Sequence, residues 1–125
     1  MLDVKKTLAK LLKCDYVIEE GISGIWTYRK WSSGIAECWG ITASATYAQT
    51  DTWGQGYYTH TSVNLPSGVF TSVAHASVEK NTSGAGLVWA SVDAISTSSV
   101  GFYVSDTNSG SRTCGFGISV KGRWK

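Results

Sequence analysis

Between positions 49 and 60 the chain reads Gln49-Thr50-Asp51-Thr52-Trp53-Gly54-Gln55-Gly56-Tyr57-Tyr58-Thr59-His60. An indole, two phenols, an imidazole, a carboxylate and two amides thus share one glycine-flexed stretch. Such a mixture suits a saccharide, because aromatic faces cover the C–H side of a sugar ring while amides and carboxylates take its hydroxyls. Asp51, Trp53, Gln55, Tyr57, Tyr58 and His60 are the candidate ligand-binding residues. A purely structural arrangement of the same segment stays open: a long hairpin whose Trp53 and Tyr57 pack on the sheet or on a neighbouring subunit.

Catalysis needs a constellation, and the inventory for one is thin. Only His60 and His75 are present, and His75 sits between Ala74 and Ala76 in a strand-like run, on the face opposite Phe70, Ala74 and Val78. That position fits a hydrogen-bonded or subunit-facing histidine better than a general base. No Gly-x-Ser-x-Gly elbow marks a serine nucleophile. Outside the amino-terminal region the acids are mainly Glu37, Asp51, Glu79, Asp93 and Asp106, and a glycosidase must hold two of its carboxylates about 5 to 10 Å apart across a groove. The expectation is a protein that is not an enzyme. Glu37, alternating with Ile35 and Trp39, is expected to pair with Arg29 or Lys30 on the adjoining strand. Cofactor motifs are wanting as well. Gly84-Ala85-Gly86 lacks the spacing and the following helix of a phosphate loop, and Cys14, Cys38 and Cys114 include no Cys-x-x-Cys pair for zinc. Buried or half-buried free thiols are the expected state of the cysteines, with one bridge left open.

Charge and composition narrow the partners. Only 16% of residues are charged, and the formal net charge of +2 comes largely from Lys5, Lys6, Lys10 and Lys13 at one end and Lys121, Arg123 and Lys125 at the other. With no basic stripe between them, a nucleic-acid partner is not expected. No run approaches the roughly 20 apolar residues that cross a bilayer, and no secretory signal is visible after Met1.

These side chains must be positioned by a strand-rich frame. Residues 3–13 form the one expected helix, with Val4, Leu8, Leu11 and Leu12 on one side, lysines elsewhere and Asp3 able to cap. A helix this short is marginal alone, so it either docks on the chain's own sheet or packs against other copies. Residues 1–14 are therefore set apart from a β-sandwich over 15–125. Strands are expected at Tyr16–Glu19, Ile25–Trp31, Ile35–Tyr47, Tyr57–Val63, Val69–Glu79, Leu87–Ile95, Val100–Ser105 and Gly115–Lys121. Alternation puts Phe70, Ala74, Ala76 and Val78 on one face, and likewise Val88, Ala90, Val92 and Ala94; Val100, Phe102 and Val104; and Phe116, Ile118 and Val120. Tight hairpins are expected at Ser32-Ser33-Gly34, Asn81–Gly84 and Asp106–Gly110. The fold class is all-β, an antiparallel sandwich of about eight strands preceded by a short amino-terminal helix. Trp26, Trp31, Trp39 and Trp89 are expected in the core or at a subunit interface.

Three short motifs carry a resemblance. Ser33-Gly34-Ile35-Ala36-Glu37-Cys38-Trp39-Gly40 follows Ile25–Trp31; Val63-Asn64-Leu65-Pro66-Ser67-Gly68-Val69-Phe70 is centred on the chain's one proline; and Phe116–Trp124 closes the chain. Together they resemble the carboxyl-terminal tip domain of bacteriophage tail fibres and related prophage minor structural proteins, over roughly residues 25–125, with Glu37 and Cys38 departing from the family's pattern. The resemblance implies a homotrimer on a virion tail appendage, made in the bacterial cytoplasm, that adheres to a bacterial cell-surface saccharide or protein. It transfers no receptor residues. Two other readings stand beside adhesion: a structural tip that registers and caps three chains, and a free-standing monomeric carbohydrate-binding module.

Overall fold

The computed structural model describes residues 3–12, 14–84 and 86–125, with the side chains of residues 9–12 left out. The expected contributions of Leu11, Leu12 and Lys13 to the helix faces, and of Ala85 to its glycine-flanked loop, lie outside the described parts. Helix α1 spans Val4–Leu12. Asp3 caps it, its Oδ1 accepting the Lys6 amide at 3.1 Å.

Eleven strands follow among the described residues: β1 (Val17–Ser23), β2 (Trp26–Trp31), β3 (Ile35–Ile41), β4 (Ala45–Gln49), β5 (Asp51–Trp53), β6 (Gly56–Asn64), β7 (Ser72–Lys80), β8 (Trp89–Ile95), β9 (Ser99–Asp106), β10 (Gly110–Cys114) and β11 (Phe116–Arg123). One sheet runs β1-β2-β3-β11-β7 and another β5-β6-β9-β8, while β10 and β4 form a separate ribbon. Every pairing is antiparallel. The expected all-β sandwich with a short leading helix is the observed architecture.

The core lies between the two larger sheets, as alternation requires of faces that are apolar on one side. Val100, Phe102 and Val104 of β9 are fully buried and meet Phe116, Ile118 and Val120 of β11. Phe102 and Phe116 pack edge to face with centroids 5.3 Å apart. Cys38 and Cys114 are buried free thiols, and burial pushes the Cys38 thiol up to about 12.

The three motifs of the resemblance meet in this frame. Gly34, at φ +101° in the β2–β3 turn, takes a conformation that residues with a Cβ avoid. Its carbonyl accepts the Trp124 amide at 2.9 Å, and the Trp31 carbonyl accepts Trp124 Nε1 at 2.7 Å. Trp124 therefore anchors the end of β11 to the hairpin. The Trp26 indole donates to the Asn64 carbonyl at 2.8 Å, tying β2 to the proline segment, whose Leu65, Val69 and Phe70 are buried.

Several expectations are corrected. Ile35–Tyr47 is two strands, because β3 pairs with β11 and β4 with β10, and this long ribbon bends at Thr42–Ser44 opposite Gly115. A Cβ at Gly115 would lie 2.8 Å from the Thr42 carbonyl oxygen. The turns at Asn81–Gly84 and Asp106–Gly110 close no hairpins: β7 and β8 lie in different sheets, and β10 pairs with β4 rather than β9. Neighbours are also not all sequential, since β11 inserts between β3 and β7. A register shift after Lys121 opposite β7 brings Val73, not Ala74, toward the core and leaves Ala74 and His75 exposed. The same effect in β8, where the register shifts between Val92 and Ala94, leaves both of those residues exposed. Trp26 is buried, but Trp39 and Trp89 are 37% and 38% exposed in the chain by itself.

Gln49 is the anomaly of the interior. It is fully buried at the end of β4, and neither Oε1 nor Nε2 has a hydrogen-bond partner among the described residues. Each unsatisfied buried polar group costs about 1–3 kcal/mol, so Gln49→Met, of similar length and without the amide, is expected to raise stability by roughly 1 kcal/mol. A urea titration checks this by a shift in midpoint at constant slope.

Candidate functional site

The outward face of the four-stranded sheet carries the candidate site. Its rows follow from the pairing: Tyr58 of β6 stands opposite Ser105 of β9, which faces Trp89 of β8; His60 stands opposite Tyr103, which faces Ser91. β5 adds Trp53 at the edge, where it pairs with Gly56. Trp53, Tyr58, Trp89, Ser91, Tyr103 and Ser105 line an open pocket of about 330 Å³, at the small end of the ~300–1,000 Å³ typical of ligand sites.

Aromatic packing fixes the floor. Tyr103 receives Tyr58 edge to face at 5.3 Å and the His60 ring at 5.1 Å. Beside the pocket, His60 Nε2 and Asp93 Oδ2 lie 3.0 Å apart. These residues come from β6 and β8, with β9 between them, and two local features let them meet. Asp93 is the extra residue at the β8 register shift, a device that re-aims a side chain. Gly101 of β9 lies beneath, and a Cβ there would stand only 3.2 Å from His60 Nε2.

Of the residues singled out from the sequence, Trp53 and Tyr58 line the pocket. His60 sits beside it, and Asp51, exposed, pairs with Tyr58 and so shares its face. Tyr57 alternates to the other face opposite Asp106, and Gln55 lies in the turn before β6 and is not among the lining residues. The segment forms a β-hairpin, β5 and β6 joined at Gly54-Gln55. The pocket's other half was missed: Trp89, Ser91, Tyr103 and Ser105 stood in expected strands, and only their pairing with β6 brings them beside Trp53. Their alternation with Ala90, Val104 and Phe102 marked them as outward-facing, which was the available signal.

The remaining acids do other work. Glu37 faces Arg29 in register, yet Arg29 pairs with Glu20 at 3.1 Å and Lys30 with Glu19 at 3.3 Å. Glu37 instead accepts the Trp31 indole N–H at 3.3 Å, which corrects the expected pairing. Asp15 accepts the hydroxyls of Ser33 and Ser32 and two amides, and these bonds, led by Ser33, hold its carboxyl down to about 2. Asp106 is buried at the end of β9, where it accepts Arg112 Nε at 2.6 Å and the amides of Thr107 and Asn108. Burial pushes its carboxyl up, but the Asn108 amide, Arg112 and the Thr107 amide outweigh that and lower it. A lowered folded-state value means that the stability contributed is complete above the ordinary aspartate pKa of about 3.9 and lost as pH falls through the folded value. Asp106→Ala, which strips four donors of their acceptor, is expected to cost roughly 2–3 kcal/mol near neutral pH. The gap from the parent chain should narrow in acid as pH falls through the lowered folded value, as chemical denaturation across pH will show.

No family model and no curated protein matches the chain. Solved structures do. An N-truncated R1-type pyocin tail fibre aligns over 97% of this chain and 98% of its own length, with TM-score 0.65 and 9% identity. A P. aeruginosa R1 pyocin fibre comprising residues from its carboxyl-terminal part aligns over 97% of this chain and 32% of that one, with TM-score 0.64 and 9% identity. An N-truncated R2-type pyocin tail fibre aligns over 98% and 44%, with TM-score 0.61 and 8% identity. At such identities the likeness is one of fold: the sandwich is of a kind found in tail fibres.

Proposed function

We propose that this chain is the tip domain of a phage or prophage tail fibre or baseplate appendage, made in the bacterial cytoplasm and carried on the particle, which adheres as a homotrimer to a bacterial surface saccharide. It acts by binding, without catalysis. The observation that carries this reading is the open pocket between Trp53, Tyr58, Trp89 and Tyr103, on the outward face of a sandwich whose fold recurs in pyocin fibres. Trp53 is 56% exposed, which suits a ring platform for a sugar better than a locked structural cap. Ser91 and Ser105 supply hydroxyls at the pocket wall.

Trimerisation supplies what a shallow site lacks. Three weak sites on one rigid tip bind far more tightly than one, without any new contact. The helix supports this assembly. Val4 and Leu8 are 72% and 53% exposed, and a nine-residue helix is marginal unless its apolar face is covered. Light scattering at micromolar concentration is expected to return close to three times the 13.4 kDa chain mass. A monomer there would overturn the fibre-tip reading and favour a free-standing module. Adhesion itself is tested by binding of the labelled chain to bacterial cells in competition with their isolated surface polysaccharide; failure of the polysaccharide to compete would sink the saccharide receptor.

A further inference from the structure

We infer that the ligand of the aromatic pocket is an uncharged saccharide, not an acidic or phosphorylated one; the inference rests on the adhesion reading above. The four strands of the sheet that bears the pocket, β5, β6, β8 and β9, contain no lysine or arginine. The basic side chains nearest in sequence are committed elsewhere. Lys80 Nζ is held by the Gly84 and Gly86 carbonyls at 2.8 and 2.9 Å, and Arg112 by buried Asp106 at 2.6 Å. What charge the face does carry is acidic, from Asp51 and Asp93.

An anionic sugar placed over Tyr103 would therefore lose hydration without gaining an ion pair, and would meet two carboxylates on the same face. Of these, Asp93 is engaged by His60 at 3.0 Å. The lining itself is four aromatic rings and two serine hydroxyls. Those groups match a neutral ring, with its C–H faces on the indoles and phenols and its hydroxyls on Ser91 and Ser105. Positive charge lies instead on α1 and the five-stranded sheet, where Arg29 covers Trp39 at 5.2 Å and Lys30 and Lys121 also stand.

The test is an array of purified bacterial O-antigen and capsular polysaccharides, sorted into neutral and acidic repeats, probed with the intact chain and with Trp53→Ala. Expected are signals confined to neutral polysaccharides, abolished by Trp53→Ala, and changing less than about twofold between low and high salt, since no charge pair is there to be screened. Trp53-dependent binding confined to acidic polysaccharides, or binding that falls steeply with salt, overturns the inference while leaving saccharide adhesion standing. Binding to neither class, or binding indifferent to Trp53, removes the adhesive pocket and the inference together.

Discussion

Trp53→Ala is expected to lower adhesion to cells by about a thousandfold while leaving the fold intact. Loss of a tryptophan platform at a binding site commonly costs more than 1 kcal/mol, and a tenfold loss per site corresponds to about 1.4 kcal/mol. Where three sites of a trimer engage one surface, the losses multiply toward ~10³. Trp53 ends the short edge strand β5 and is 56% exposed, so its removal empties no core volume and the melting temperature should hold. Trp89→Ala, on the opposite wall of the pocket, should act in the same direction. Gln55→Ala, at the turn and not among the lining residues, should leave adhesion unchanged. Cell-binding isotherms for the three variants decide the matter: parental adhesion by Trp53→Ala would remove the pocket from the adhesive role.

Phe102→Ala carries the largest expected effect on stability, about 3–5 kcal/mol. The ring is fully buried at the centre of β9 and packs edge to face on Phe116, which in turn meets Tyr47 at 5.5 Å. A cavity there touches both sheets and the bent ribbon. Against a total stability of about 5–15 kcal/mol, the loss is large enough to leave much of the chain unfolded on mild heating. Phe102→Leu should cost under about 2 kcal/mol, since much of the volume is kept. Phe102 is flanked by Gly101, under the His60–Asp93 pair, and by Tyr103, the pocket floor. Adhesion by the alanine variant should accordingly fall in step with the folded fraction, read from denaturation curves and binding on the same samples.

The inward faces of β9 and β11 were legible because alternation is local. Val100, Phe102, Val104 and Phe116, Ile118, Val120 read as apolar stripes and are the most deeply buried strands of the molecule. The capped helix, the hairpin at Gly34 and the all-β class rested on equally local signals: an aspartate before a leucine-spaced run, two serines before a glycine, β-branched and aromatic runs between turn residues. Where one residue breaks the alternation, the same logic fails. The register shifts near Val73 and Asp93 exchange inward and outward positions, and nothing in residue type announces them, because an inserted residue is set by how the partner strands fit.

Half of the candidate pocket was visible for the same reason and half was not. Trp53 and Tyr58 lie close in sequence and drew attention together, whereas Trp89, Ser91, Tyr103 and Ser105 join them only through the order β5-β6-β9-β8. That order depends on which apolar faces find one another across the core, a choice made by the whole chain. So the sequence by itself determined the class of fold, the buried stripes and the chemistry one hairpin could offer, since each is written in neighbouring residues. Tertiary structure alone decided that this hairpin shares a face with two distant strands and that Asp93 reaches His60 over a glycine, because long-range pairing sets those distances.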